Sequence, residues 1–382
     1  MKNFLSPNVN NFQPYNPKGD PNNHLGDESL IRMNANESPY PVPKAVLDKA
    51  FKSIQDTPLN FYPDTDSTEL RRAIGAYLHF PMEQILVGNG SDEMIDVLIK
   101  TFVAAGDAVV SHDPTFSMYR IFTEIIGGKY YGVASSNGED FAINIQGLID
   151  KAKEVRAKAV FLCTPNNPTG LTISKEEVLQ VLEETQGMVV IDEAYREFSD
   201  QNFLSFIGKS HPNLILLRTF SKAHGLAGVR GGYLLGSPEA VSYMQQVKPP
   251  YNLNVFTQKL LSAYLEYIQT AEGRALTRKR IREIRRERNL LYCGLKRIKE
   301  CEPVPGSGNF ISFRIRSPQD KTNPRTDSGV FEESLDEKLR NKGFLIKKFR
   351  YQQTPYYRIS MGTPEENQRI IQELQTLFSR SK

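Results

Sequence analysis

Three short stretches hold side chains whose types and spacing suit chemistry. In Thr219-Phe220-Ser221-Lys222, followed by Gly225, Gly228 and Arg230, a lysine stands just beyond the apolar run Leu214–Leu217, near two hydroxyls and an arginine. Such an amine can form a Schiff base beside a bound anion. Taken alone, the same residues also describe a surface lysine in a turn. In Gly88-Asn89-Gly90-Ser91-Asp92-Glu93, glycines follow the apolar run Ile85–Val87 and lead into a helical pattern. Free N–H groups at that helix start could bind a phosphate, or the stretch could be a glycine turn capping the helix. It fails as a dinucleotide fingerprint, because Glu93 occupies the third glycine position. Val189-Val190-Ile191-Asp192-Glu193 is an apolar run ending in two acids, which would also suit the metal-binding strand of a P-loop ATPase. The only Gly-Lys-Ser, at 208–210, has Phe203 where the Walker pattern needs glycine, so that reading falls.

Each stretch sits at the end of a short apolar run, and the chain has seven such runs with helical stretches between them. They are Ile85–Val87, Ala108–Ser111, Lys129–Val133, Ala159–Cys163, Met188–Asp192, Leu214–Leu217 and Gly232–Leu235. The pattern predicts an α/β fold with a mostly parallel seven-stranded sheet. From about Val255 to Lys299 a long, broken helix is expected, with Ile281, Ile284, Leu291, Leu295 and Ile298 at helical spacing. Its basic run from Arg278 to Arg288 is interrupted by Glu283 and Glu287 and reads as a solvated face, with no nucleic-acid partner. Beyond residue 300 come a strand at Phe310–Ile315, a helix over about Phe331–Asn341, two further strands and a terminal helix, a smaller α+β unit. The polar stretch Pro318–Ser328 reads as a surface loop.

The first 45 residues, rich in Asn, Pro and Gly, predict an extended arm. The expected organisation is an arm that also joins the small domain (1–45), a large domain (46–290) and a small C-terminal domain (291–382). With 382 residues and 39% hydrophobic content the chain can bury a sizeable core, and a net charge of +4 does not argue for nucleic acid. Three cysteines without a CxxC pair suggest neither a disulfide framework nor a metal site. No leader-like or membrane-spanning apolar stretch occurs, so a cytoplasmic protein without a membrane partner is expected.

A fourth stretch, Pro165-Asn166-Asn167-Pro168-Thr169-Gly170, also follows an apolar run. Together the series GNGSDE, DPTFSMY, TPNNPTG, IDEAYREF and TFSKAHGLAGVRGGY resembles the fold-type I pyridoxal phosphate aminotransferases, and within them the histidinol-phosphate aminotransferase branch. The resemblance runs from NANESPYP (Asn34–Pro41) to YRISMGTPEEN (Tyr357–Asn367). It implies pyridoxal 5'-phosphate as cofactor, held as a Schiff base on Lys222, which would also shuttle the substrate proton. Asp192 would pair with the pyridine nitrogen, Tyr195 and Asn167 would bond the phenolic oxygen, and Phe116 would lie against the ring. The phosphate would be held by Gly90 and Ser91 with Asp92 nearby, and by Thr219, Ser221 and Arg230. Tyr62 would reach it from a neighbouring subunit, which implies a homodimer.

By the same resemblance Arg358 would grip the substrate carboxylate, and Asn309 would line the site. Lys347 stands where many members carry a second arginine for the substrate phosphate; lysine offers a point charge without the bidentate fork. The implied reaction moves an amino group between glutamate and imidazole-acetol phosphate to give histidinol phosphate, by a ping-pong mechanism. An aromatic aminotransferase and a threonine-phosphate decarboxylase are the alternatives on the same scaffold.

Overall fold

The computed structural model describes residues 4–10, 29–135, 141–208, 210–316, 334–352 and 354–379. The expected loop at 318–328, the first residues of the helix expected from 331, and much of the arm before residue 29 lie outside them. After a single turn, α1 (Pro7–Asn10), the chain forms β1 (Ile31–Arg32), α2 (Lys44–Gln55), α3 (Thr68–Leu78), β2 (Ile85–Asn89) and α4 (Gly90–Phe102). Strands and helices then alternate: β3 (Ala108–Asp113), α5 (Met118–Ile125), β4 (Lys129–Ala134), α6 (Ile145–Glu154), β5 (Ala159–Cys163), α7 (Lys175–Glu184) and β6 (Met188–Asp192). Next come β7 (Leu214–Thr219), β8 (Gly231–Leu235), α8 (Pro238–Val247), α9 (Val255–Ile268) and α10 (Ala271–Lys296). The remainder is β9 (Cys301–Pro303), β10 (Phe310–Ile315), α11 (Leu335–Arg340), β11 (Phe344–Leu345), β12 (Lys347–Tyr351), β13 (Thr354–Ser360) and α12 (Pro364–Ser379).

All seven expected strands join one sheet in the order β2-β8-β7-β6-β5-β3-β4. Only β8 runs against its neighbours, so the sheet is mostly parallel, as expected. Its central strands are buried on both faces, which is why they read as continuous apolar runs. Along β6, Val189 and Ile191 pack on the face covered by α2, α3, α6, α7 and α9, while Val190 points to the face covered by α4, α5 and α8. At the carboxyl ends, β6 and β7 are tied by a buried ion pair, Arg218 Nε to Glu193 Oε2 at 2.7 Å.

The long helix expected from residue 255 is broken between Ile268 and Ala271. The Thr270 side chain accepts from Gly273 N and caps the new start. At residue 273 a Cβ would lie 2.0 Å from Tyr267 O, so only glycine fits the bend. The boundary expected after residue 290 falls inside α10, which is continuous to Lys296 and packs Ile284, Leu291 and Leu295 into the second core. That core underlies an antiparallel sheet in the order β12-β13-β10-β9 and includes Phe313, Phe344 and Ile370. Residues 31–33 belong to it as well: β1 pairs in parallel with β11, Ile31 opposite Phe344, and Met33 is buried in the core. The short strands β1 and β9 were not expected, and the strand expected over 343–348 is divided between β11 and the start of β12.

Candidate active site

The carboxyl ends of β3, β5, β6 and β7 contribute Asp113, Cys163, Asp192 and Thr219 to one cavity of about 970 Å³. This is where parallel strands present ligand-binding loops. The N-terminus of α4 borders the cavity on one side; residues 32–37 and strands β12 and β13 border it on another. All the residues expected at the site line it, except Tyr62 and Asn309.

Lys222 lies in the connection between β7 and β8 and is half-buried. Its Nζ donates to Ala35 O at 3.1 Å and stands 5.9 Å from the centre of the Tyr195 ring. Burial, and then the nearby Arg358 charge, bring its pKa down to about 8. An appreciable fraction of the amine is therefore neutral and nucleophilic near physiological pH.

Asp192 ends β6 and is 2% exposed. Burial pushes its carboxyl up to about 6, opposed by two donors: Tyr119 OH to Oδ2 at 2.6 Å and Ala194 N to Oδ1 at 2.9 Å. Tyr119 was not singled out from the sequence, although it ends the DPTFSMY stretch. It is fully buried, stacks on Phe161 at 4.6 Å and meets Phe116 edge-on at 5.7 Å. A tyrosine three residues after Phe116, at the start of a helix, was the available signal.

Tyr195 is buried, and burial raises its phenol pKa; its oxygen accepts from Asn36 Nδ2 at 2.9 Å. Arg358 Nη1 donates to Asn167 Oδ1, and Nη2 donates to Asn34 O at 2.8 Å. Lys347 is the cross-strand partner of Arg358, and both border the cavity. Two neighbouring cations on one face favour anionic ligand groups. Arg350 on β12 and Arg120 on α5, which sequence reasoning did not select, add positive charge to the cavity lining.

At the other end, α4 begins at Gly90 with its backbone at φ 79°, and Glu93 Oε2 accepts from Asn89 N at 2.6 Å. A Cβ at residue 90 would lie 2.8 Å from Arg230 Nη2, and one at residue 232 would lie 2.4 Å from Ser91 N. The two glycines thus let strand, helix start and guanidinium close around one spot. Arg230 Nη2 also bonds Asp92 Oδ2 at 3.2 Å, and Thr219 Oγ1 lies 3.0 Å from Ser221 Oγ. N–H groups at the helix start, two hydroxyls and an arginine suit a phosphate group.

The other two expected residues lie elsewhere. Asn309 was expected to line the site but is fully buried behind residues 34–37, donating to Asn36 O at 3.0 Å and Glu37 O at 3.4 Å. It supports the cavity wall rather than forming its surface. Tyr62 is 79% exposed and stacks on Tyr251 at 4.4 Å, outside the cavity of its own chain. As a set, the lining fits a flat phosphorylated heteroaromatic aldehyde. The Lys222 amine would meet its reactive carbon, the buried Asp192 carboxylate suits a protonated ring nitrogen, and Tyr195 with Asn167 suits an acidic ring oxygen.

Residues 28–374 match the family model described as aminotransferase class I and II. The chain is 33% identical over 381 residues to the histidinol-phosphate aminotransferase of Ruminiclostridium cellulolyticum, spanning 98% of each chain. It is 31% identical over 379 residues to that of Caldanaerobacter subterraneus subsp. tengcongensis, spanning 99% of this chain and 100% of the relative. Its fold is similar to the crystal structure of histidinol-phosphate aminotransferase from Sinorhizobium meliloti in complex with pyridoxal-5'-phosphate, with a TM-score of 0.79 and 22% identity over 92% of each chain. Since the family match and these relatives extend along almost the whole length that builds the cavity, the chain belongs to the class I and II aminotransferases, in their histidinol-phosphate aminotransferase branch.

Proposed function

We propose that this enzyme transfers an amino group between glutamate and imidazole-acetol phosphate, forming 2-oxoglutarate and histidinol phosphate, with pyridoxal 5'-phosphate as cofactor in a ping-pong cycle. The observation that carries this reading is the convergence of Lys222, buried Asp192 and the Lys347–Arg358 pair on one cavity. Relatives of the same length named for this reaction support it.

When bound, pyridoxal phosphate supplies an electron sink for the carbanion formed at the substrate Cα. Lys222 would hold the cofactor and, once the substrate amine has displaced it, would carry the proton between the substrate Cα and the cofactor's C4′ carbon. Asp192 keeps the ring nitrogen protonated. Tyr195 and Asn167 orient the ring through its phenolic oxygen, and Phe116 bounds its face. Gly90, Ser91, Thr219, Ser221 and Arg230 hold the phosphate, with Asp92 nearby on the Arg230 guanidinium. Arg358 takes the glutamate carboxylate with its planar fork, and Lys347 takes the substrate phosphate as a point charge.

The large domain, 46–290, would hold the cofactor and the small domain, 291–382 with the arm 1–45, would cover it. We assign a homodimer in which Tyr62 of each chain completes the other's phosphate site. Its support is the exposed aromatic surface Tyr62 shares with its chain neighbour Phe61, 67% exposed, and its stacking partner Tyr251, 46% exposed. No helix among the described residues is long and apolar enough to cross a membrane. A cytoplasmic enzyme is in keeping with three free cysteines.

The test is a substrate panel on purified protein with pyridoxal phosphate. Histidinol phosphate with 2-oxoglutarate should yield glutamate. Glutamate from phenylalanine or tyrosine but not from histidinol phosphate would point to an aromatic aminotransferase, and carbon dioxide from threonine phosphate to a decarboxylase.

A further inference from the structure

We infer that Asn36 is a positioning residue for Tyr195: its amide donates to the phenol oxygen and leaves the phenol's own proton directed at the cavity. The inference rests on the cofactor reading above and concerns how the chain aims one donor at the ring oxygen.

Asn36 is 1% exposed and holds a left-handed backbone, φ 54°. The ordinary reading of such a residue is a turn asparagine bonding to its own neighbours. Its partners lie elsewhere. The backbone N donates to Ser360 Oγ at 2.8 Å, and Asn309 Nδ2 donates to the Asn36 carbonyl at 3.0 Å. Ser360 Oγ donates to Asn36 Oδ1 at 3.0 Å, and Nδ2 donates to the Tyr195 hydroxyl at 2.9 Å. These partners lie 159 to 324 residues away in the chain.

The bonding pattern fixes the amide's orientation. A hydroxyl has one proton, and Asn36 Oδ1 is the acceptor that the buried Ser360 Oγ meets at 3.0 Å; a flipped amide would take that acceptor away. With Oδ1 engaged, Nδ2 is the atom that faces Tyr195, and an NH₂ group can only donate. The phenol oxygen is thus an acceptor from Asn36, which polarises its O–H and strengthens it as a donor. The same bond draws the buried phenol's pKa down against the rise caused by burial. Since Tyr195 lines the cavity, the remaining proton serves a ligand there.

A stronger donor at the ring oxygen stabilises that oxygen's negative charge and weakens its hold on the proton shared with the neighbouring imine nitrogen. The readout is the pH midpoint of the visible-absorbance change of the lysine-bound cofactor in the resting holoenzyme. Asn36→Gly keeps the left-handed backbone without strain and removes the donor; its midpoint should rise by about half to one pH unit, the scale of one hydrogen bond. Asn36→Asp keeps the shape but offers an acceptor that competes for the phenol proton, and should raise the midpoint at least as far. In a Tyr195→Phe background, Asn36→Gly should add no further shift. An unmoved midpoint in Asn36→Gly, or a shift that persists in the Tyr195→Phe background, overturns the inference. A wild-type protein that takes up no visibly absorbing cofactor sinks the reading beneath it as well, a result distinguishable from either.

Discussion

The Tyr119 hydroxyl donates to Asp192 Oδ2 across 2.6 Å, where the carboxylate is only 2% exposed. Solvation is missing there, so the charge on Asp192 depends on two donors, Tyr119 and the Ala194 amide. Tyr119 is in turn fixed between Phe161 and Phe116. The packing of the sheet face thus supports the charge that the proposed contact with a ring nitrogen would require.

Tyr119→Phe keeps this packing and removes the donor. The Asp192 pKa should climb further, leaving more of the carboxyl neutral at pH 7. Cofactor affinity at pH 7 should fall about 10-fold or more, the scale of a hydrogen bond to a charged group. The deficit should shrink at pH 9, where the carboxylate is again ionised. Equilibrium dialysis at both pH values measures this, and equal affinity at pH 7 would contradict it.

Asp192 also links stability to pH in the apoenzyme. Its carboxyl rises from 3.8 to about 6 on burial, so the folded chain retains a proton that the unfolded chain has released between those values. The sign follows: its contribution to stability is greatest below about pH 4 and is lost as pH rises through 6. Relative to Asp192→Asn, wild-type apoenzyme should lose about 2 kcal/mol of unfolding free energy between pH 4 and 8. Urea titrations of both proteins at several pH values provide the check; a constant difference would refute the linkage.

For Lys222 the depressed pKa makes a kinetic prediction. Cofactor uptake by the apoenzyme needs the neutral amine, so its rate should rise with pH and level off above about pH 8, well below the ordinary lysine range. Lys222→Ala should lose the visible absorbance of lysine-bound cofactor and nearly all transamination. Stopped-flow absorbance across pH 6 to 10 reads the first, and a mutant that keeps the absorbance would end the assignment.

Arg358→Lys keeps the charge and removes the fork that reaches both Asn167 and Asn34. Loss of bidentate carboxylate recognition should raise KM for glutamate by about 10- to 100-fold, while the resting cofactor spectrum stays close to wild type. Steady-state kinetics beside a spectrum separates the two effects. A large spectral change with an unaltered KM would move Arg358 from substrate binding to cofactor binding.

Much of this was legible in the sequence for a physical reason. Strands buried on both faces are continuous apolar runs, and Asp192 marks the end of one while Lys222 falls just past the end of another. The strands β1 and β9, two and three residues long, are defined by the partners that meet them, so no local pattern announces them. Tyr119 looks like any core aromatic until Asp192 is seen beside it. Asn36 depends on Tyr195 and Ser360, far along the chain, and Asn309 lies behind the wall it was expected to form. Lys347 was noted as a substitution, but its register opposite Arg358 belongs to the sheet.

The pairing of Ile31 with Phe344 and of Arg32 with Leu345 has a consequence for synthesis. The stretch carrying Asn34, Ala35 and Asn36 leaves the ribosome early, yet its partners Leu345, Arg358 and Ser360 emerge more than 300 residues later. The large sheet can be complete by Leu235 while one wall of its cavity still waits for the last fifth of the chain. A chain halted before β13 would carry Lys222 and the helix start at Gly90 but not Arg358, which borders the same cavity from the other side.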